Sequence, residues 1–150
     1  MSTVNQIRSD TVITCAPGVL DAIADHARRE APRECCGLLI GRDDRIEEAA
    51  PVVNRAADPL RRYEIDPNDF LASVKRCRGT PSSVIGAYHS HPRTSAEPSE
   101  SDHSEAFGPF LYVIAGPVAA ELPPPIRAYR WERGNFLPLR LVPDAQEPET

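Results

Sequence analysis

Apolar and polar positions along the chain change period several times, and each change marks an element. Residues 12–14 (Val12, Ile13, Thr14) form a short β-type run. Pro17 then suits the first turn of a helix, where its missing N–H costs nothing. Leu20, Ile23, Ala24 and Ala27 recur at i, i+3, i+4 and i+7, which predicts an amphipathic helix ending before Pro32. Residues 35–40 are apolar without interruption and closed by Gly41, the pattern of a strand buried on both faces. Further strands are predicted at 49–53 and, shorter, at 63–65. Asp66-Pro67-Asn68-Asp69 combines an N-cap, a proline at the first helical position and an acid in the first turn. Phe70, Leu71, Val74 and Cys77 give this second helix its apolar face, and Gly79 stops it. Then come a strand at 84–89, a short helix at 99–106, and three strands at 110–115, 126–131 and 136–142, with turns at Gly116-Pro117 and Gly134-Asn135. The sum is one compact α/β domain over about residues 11–142, a mixed sheet with two substantial helices. The polar stretch 143–150 reads as a disordered tail.

Composition narrows the function classes. A length of 150 residues fits a single domain with one core, and 41% apolar with 26% charged residues is ordinary for a globular chain. A net charge of −5 without a basic cluster argues against nucleic acid and against an anionic membrane as partners. No apolar run reaches the length of a membrane span, and the polar first ten residues lack a signal-peptide core, so a cytoplasmic location is expected. Cys15, Cys35, Cys36 and Cys77 form no C-x-x-C pair and read as small buried hydrophobes in a reducing compartment.

The chemistry concentrates in His89-Ser90-His91-Pro92, followed by Ser99 and Asp102. Histidines one residue apart at a strand end point to the same side, so both rings can converge on one ion. Asp102 can complete a three-ligand set if the intervening chain folds back, leaving a fourth tetrahedral position for water, as in catalytic zinc sites. Ser99-x-x-Asp102 is also a capping-box pattern. Ligand and cap are compatible roles for Asp102, and Ser99 is open to capping, oxyanion donation or both. His103 points elsewhere on the helix, and His26 reads as a surface residue of the first helix. A hydrolytic site further needs a proton carrier. Glu34, at the head of the apolar run, is a candidate for that task and equally for a strand-end cap. Glu97, Glu100 and Glu105 are nearer in sequence but fall in a loop and on a helical turn where solvated acids are normal.

Glu34-Cys-Cys-Gly-Leu-Leu-Ile-Gly41 together with His89-Ser-His-Pro-x6-Ser99-x-x-Asp102 resembles the motif of the JAMM (JAB/MPN+) metalloproteases. Arg62-Tyr63-Glu64-Ile65-Asp66-Pro67 is similar to small prokaryotic members. The resemblance runs from about Pro17 to about Ala115. It implies a single JAB/MPN-like domain, with a mixed, mostly antiparallel sheet, two main helices and a short helix near the metal. It implies one Zn2+ per chain on His89, His91 and Asp102, with Glu34 as general base and acid and Ser99 as oxyanion donor. The implied activity is hydrolysis of the bond after the C-terminal Gly-Gly of ubiquitin-like or sulfur-carrier proteins, or of their cysteine adducts. The carrier's tail would be the partner, seated in a simple groove or by strand addition at the sheet edge. A non-catalytic, zinc-containing MPN-type interaction module is the alternative. A DNA-repair-associated JAB protein is a further one, though the acidic charge balance lacks the basic face it would need.

Overall fold

The computed structural model describes residues 11–119 and 122–144. Among these, the elements follow as β1 (Val12–Cys15), α1 (Val19–Glu30), β2 (Cys36–Arg42), β3 (Arg45–Val52), α2 (Pro67–Cys77), β4 (Ser83–Ser90), α3 (Glu100–Glu105), β5 (Phe110–Ala115), β6 (Ile126–Glu132) and β7 (Asn135–Pro143). Hydrogen bonding joins the strands in the order β1-β3-β2-β4-β5-β6-β7, and β7 also pairs with β1. The pairs β2–β3, β2–β4, β5–β6 and β6–β7 are antiparallel, whereas β1–β3, β1–β7 and β4–β5 are parallel. The sheet is therefore mixed and mostly antiparallel, as expected. No helix among the described residues is long and apolar enough to cross a membrane.

Period-two alternation in the central strands builds a core on each face of the sheet. Leu39, Tyr88, Leu111 and Val113 face one side, where Val19, Ile23 and Ala27 of α1 cover them. Leu38, Ala87, Phe110 and Tyr112 face the other, with Phe70 of α2 packed against them. The uninterrupted apolar run of β2 follows from this double burial. Backbone contact is close at Gly86, where a Cβ would collide with the Leu111 carbonyl of neighbouring β5. Arg133 and Gly134 both carry positive φ, 52° and 78°, and link β6 to β7 by the tight turn that such a pair favours. All four cysteines are free and buried, in keeping with a packing role.

Several elements differ from the sequence pattern. Helix α1 starts at Val19 rather than around Pro17. Ala16 still donates to the Ile46 carbonyl of β3 (2.8 Å), and Gly18 turns the chain at φ 87° before the helix can begin. β3 is longer than predicted, reaching back to Arg45 through the β2 hairpin. Residues 63–65 form no strand, only a single bridge between Ile65 and Asn54. Leu71, placed on the buried face of α2, is 52% exposed. β7 runs through Pro143, and the Asp144 amide donates to the Cys15 carbonyl (2.9 Å), so order extends past 142. The rest of the tail, 145–150, lies outside the described residues. His26 is no surface residue: it is buried, and its Nδ1 lies 2.8 Å from the Tyr88 hydroxyl. Ile23, Ala27 and His26 share the inner side of α1, and the imidazole is the only one of these that can satisfy a buried phenol.

Gly86→Ala should lower stability by about 1–3 kcal/mol, since the added methyl has backbone rather than a flexible side chain to displace. Urea unfolding followed by circular dichroism checks this. An unchanged midpoint would show that β4 and β5 can separate at no cost.

Candidate metal centre and active site

The pairing of β2 with β4 assembles the site. Cys36 stands opposite His89, and the same antiparallel register carried two residues further sets Glu34 opposite His91. Two bonds seal the step between them. The Cys35 amide donates to Ser90 Oγ (2.8 Å), and the Ser90 amide donates to the Cys35 carbonyl (3.1 Å). Along β4, His89 and His91 share the face of Ala87, so both imidazoles project toward the α2 side of the sheet. His91 lies just past the strand, and its amide donates to the Ala115 carbonyl (2.7 Å), prolonging the parallel β4–β5 ladder.

The chain then folds back. Ala96 is buried, and its carbonyl accepts the Tyr129 hydroxyl (2.8 Å). Ser99 caps α3 with a complete capping box: its Oγ accepts the Asp102 amide (3.2 Å), and Asp102 Oδ2 accepts the Ser99 amide (2.9 Å). Capping fixes the turn that aims Asp102 inward. Its Oδ1 lies 3.2 Å from His89 Nε2 and its Oδ2 3.1 Å from His91 Nε2, while the two Nε2 atoms are 3.0 Å apart. Glu34 joins from the residues just before β2. One ligand atom each from Glu34, His89 and His91 lie within 4.8 Å of one another. Glu34 is 6% exposed, and its Oε1 has no hydrogen-bond partner among the described residues. Glu97, Glu100 and Glu105 are all exposed, as is His103, whose ring packs edge-on against Trp131 and Phe136.

This cluster has the electrostatics of a cation site. His91 Nδ1 faces the Ser95 carbonyl at 2.8 Å, so that nitrogen carries the proton and Nε2 presents its lone pair inward. Burial holds His89 below the usual imidazole range despite the pull of Asp102, whereas the contacts of His91 with Asp102 and the Ser95 carbonyl outweigh its burial and raise it. Burial alone would raise Asp102, but the close approach of the His89 and His91 rings and the hydrogen bond from the Ser99 amide outweigh it and hold the carboxyl below the usual carboxylate range. Two ring nitrogens and a carboxylate thus converge within 3.2 Å. Ligand atoms on a tetrahedral zinc, each at about 2.0–2.1 Å, would be spaced by roughly 3.4 Å, so the donor set suits such an ion. Burial pushes the Glu34 carboxyl up from 4.5 to about 7, with His91 opposing and Asp102 reinforcing the rise. A carboxyl in that range can both take and return a proton near neutrality.

A cavity of about 780 Å3 opens beside Asp102, floored by Leu38, Phe70, Phe110 and Tyr112 and edged by Tyr63. Tyr63 is a site residue that the sequence pattern missed. Its ring stacks on His89 with centroids 4.2 Å apart and planes at 22°. Its signals were its place in the Arg62–Pro67 stretch that resembles small prokaryotic members and a tyrosine inside a polar, turn-rich segment, but neither gave it a role, and the neighbouring Ile65 made that stretch look like a strand. Asn54, which ties this loop to Glu34, opens the stretch from Asn54 to Pro67 over which the resemblance extends, but nothing in the sequence gave it a role of its own.

A buried carboxylate facing two strand-end imidazoles and a capped aspartate is the constellation of a metal-dependent hydrolase. Comparison with known proteins agrees. Residues 16–132 match the model for prokaryotic homologues of the JAB domain. The chain is 35% identical over 137 residues to a desampylase of Haloferax volcanii, covering 87% of this chain and 95% of that one. It is 38% identical over 99 residues to a probable TtuB-protein conjugate cleaving protease of Thermus thermophilus, covering 66% of each. Among solved structures, one described as a JAMM metalloprotease-like zinc site in the proteasome and signalosome superposes with a TM-score of 0.53 at 25% identity, covering 88% of this chain and 99% of the other. The chain belongs to the prokaryotic JAB-domain family, and with it to the JAMM metallopeptidases.

With metal removed by a chelator, Glu34 binds its proton more tightly in the native chain than in the unfolded one. Between pH 4.5 and about 7 the unfolded chain has released that proton and the native chain has not. This carboxyl therefore lowers stability as pH rises through that window. The stability of Glu34→Gln relative to the wild type, from urea midpoints in EDTA, should grow across the window and then level off. A difference independent of pH would mean that Glu34 ionises normally.

Proposed function

We propose that the protein is a zinc-dependent peptidase that hydrolyses the bond following the C-terminal Gly-Gly of a ubiquitin-like or sulfur-carrier protein, or of its cysteine adduct. The observation that carries this reading is the unpartnered, buried Glu34 carboxylate set against the two imidazoles. A structural metal site would have no use for a carboxyl group buried at that cost. His89, His91 and Asp102 hold one zinc ion per chain. Zinc, when bound, supplies a Lewis acid that lowers the pKa of a water to about 7 and polarises a carbonyl.

The remaining steps fall to the chain's own groups. Glu34 takes the proton of the attacking water and passes it to the departing amine. Ser99 Oγ already accepts the Asp102 amide, so its O–H is free to donate to the oxyanion that develops on the scissile carbonyl. His89, His91 and Asp102 are 1%, 5% and 7% exposed. A carbonyl can approach groups so recessed only where its own chain carries little bulk, which is what a Gly-Gly tail offers. Both sides of β4 are occupied by β2 and β5. The tail therefore cannot add as a strand beside the histidines, and the open approach lies along the cavity next to Asp102.

Elemental analysis should find about one zinc per wild-type chain and none in His91→Ala. Glu34→Ala should keep the metal while losing about 10²–10⁴-fold in kcat on a Gly-Gly-terminated carrier extended by a peptide, followed by mass spectrometry. Zinc-loaded protein that cleaves no such carrier, or a Glu34→Ala variant as active as the wild type, would sink the peptidase reading in favour of an interaction module.

A further inference from the structure

The two metal-facing imidazoles are oriented by different means. His91 is held through its second nitrogen, which lies 2.8 Å from the Ser95 carbonyl, the usual way a ligating histidine is fixed. His89 has no such partner: its Nδ1 is buried and unbonded among the described residues. What it has instead is the face of Tyr63, stacked at 4.2 Å and nearly parallel. An offset stack constrains the tilt of a ring and its height above the neighbour, and it does so without fixing a tautomer.

Tyr63 in turn sits in a segment with no strand or helix of its own, and a single side chain grips it on both sides. Asn54 Nδ2 donates to the Arg62 carbonyl (3.0 Å), and Asn54 Oδ1 accepts the Glu64 amide (3.1 Å). These are the residues flanking Tyr63. The same amide group also donates to the Glu34 carbonyl (2.9 Å) and accepts the Ala56 amide (2.9 Å). Two short backbone bonds complete the attachment, Glu34 N–H to the Pro59 carbonyl (2.8 Å) and Arg55 N–H to the Glu64 carbonyl (2.9 Å). One carboxamide with every bonding position used thus links the backbone of Glu34 to the ring that covers His89.

We propose that Asn54 and Tyr63 are positioning residues: Asn54 clamps the 54–65 loop so that the Tyr63 ring sets the orientation of His89 at the metal. Tyr63 acts on the ligand and Asn54 acts through Tyr63, while neither touches the reacting atoms. The inference rests on the metal-site reading above, and its test reads the metal directly.

The test is zinc affinity by chelator competition and the visible spectrum of the cobalt-substituted protein, for Tyr63→Ala, Tyr63→Phe, Asn54→Ala and the Asn54→Ala/Tyr63→Ala double variant. Tyr63→Ala should weaken zinc binding about 10- to 100-fold and alter the cobalt bands, as loss of a ligand-orienting neighbour does. Tyr63→Phe keeps the stack and should retain wild-type affinity and spectrum. Asn54→Ala should weaken binding too, and the double variant should lose no more than Tyr63→Ala alone, because the two act in series. Should Asn54→Ala fail to fold, the Tyr63 pair decides the matter. Wild-type affinity and spectrum in Tyr63→Ala would overturn the proposal, as would Tyr63→Phe losing as much as Tyr63→Ala. Fully additive losses in the double variant would overturn the serial arrangement. A wild type that binds metal but cleaves nothing overturns the peptidase reading alone and leaves this one standing.

Discussion

The register between β2 and β4 is the constraint on which the rest of the structure depends. It sets Cys36 against His89 and so brings Glu34 to His91 across more than fifty residues of chain. Side chains alternate along a strand, so a slip of one residue would turn both imidazoles toward α1 and put Tyr88 in their place. The register is locked by shape. Tyr88 pairs with Gly37, and its ring lies where a Cβ at that glycine would be, while its hydroxyl reaches His26 of α1. The Cys35–Ser90 bonds close the last step before the site. A histidine deep in α1 and a glycine in β2 therefore bear on the geometry of a site they never contact.

That centre concentrates groups which would be costly to bury alone. Two imidazoles, an aspartate held below the usual carboxylate range and a glutamate pushed up to about 7 share a pocket almost closed to water. Buried polar groups are tolerated where each finds a partner, and a partly satisfied network is the expensive case. Here the unsatisfied atoms are confined to Glu34 Oε1 and His89 Nδ1 among the described residues. One belongs to the group assigned to proton transfer and the other to the ring held by stacking. The capping box reconciles structure with chemistry on the opposite side, since one carboxylate both starts α3 and faces the imidazoles.

The elements read most directly from the sequence are those whose signals are local. The H-x-H pair at a strand end, the S-x-x-D cap and the Asp66-Pro67 helix start each specify their own backbone within a few residues, and the structure contains all three. Segments held by distant partners were misread. Residues 63–65 have the composition of a strand, yet what shapes them is the carboxamide of Asn54 rather than a ladder. His26 looks like one more polar position on an amphipathic helix until the phenol of Tyr88 is brought to it.

The sequence by itself determined the chemical inventory: which side chains can ligate, cap and carry protons, and which runs must be buried. Residue type and short spacing suffice for that, because ligand preference, capping and periodicity act over a handful of residues. The tertiary structure alone decided that Glu34 stands opposite His91 and that Tyr63 covers His89. It also decided that Asp102 meets both imidazoles at once. Those contacts depend on strand register and on a loop tied down by one amide. Both are settled by close packing between segments tens of residues apart, where no local pattern records the match.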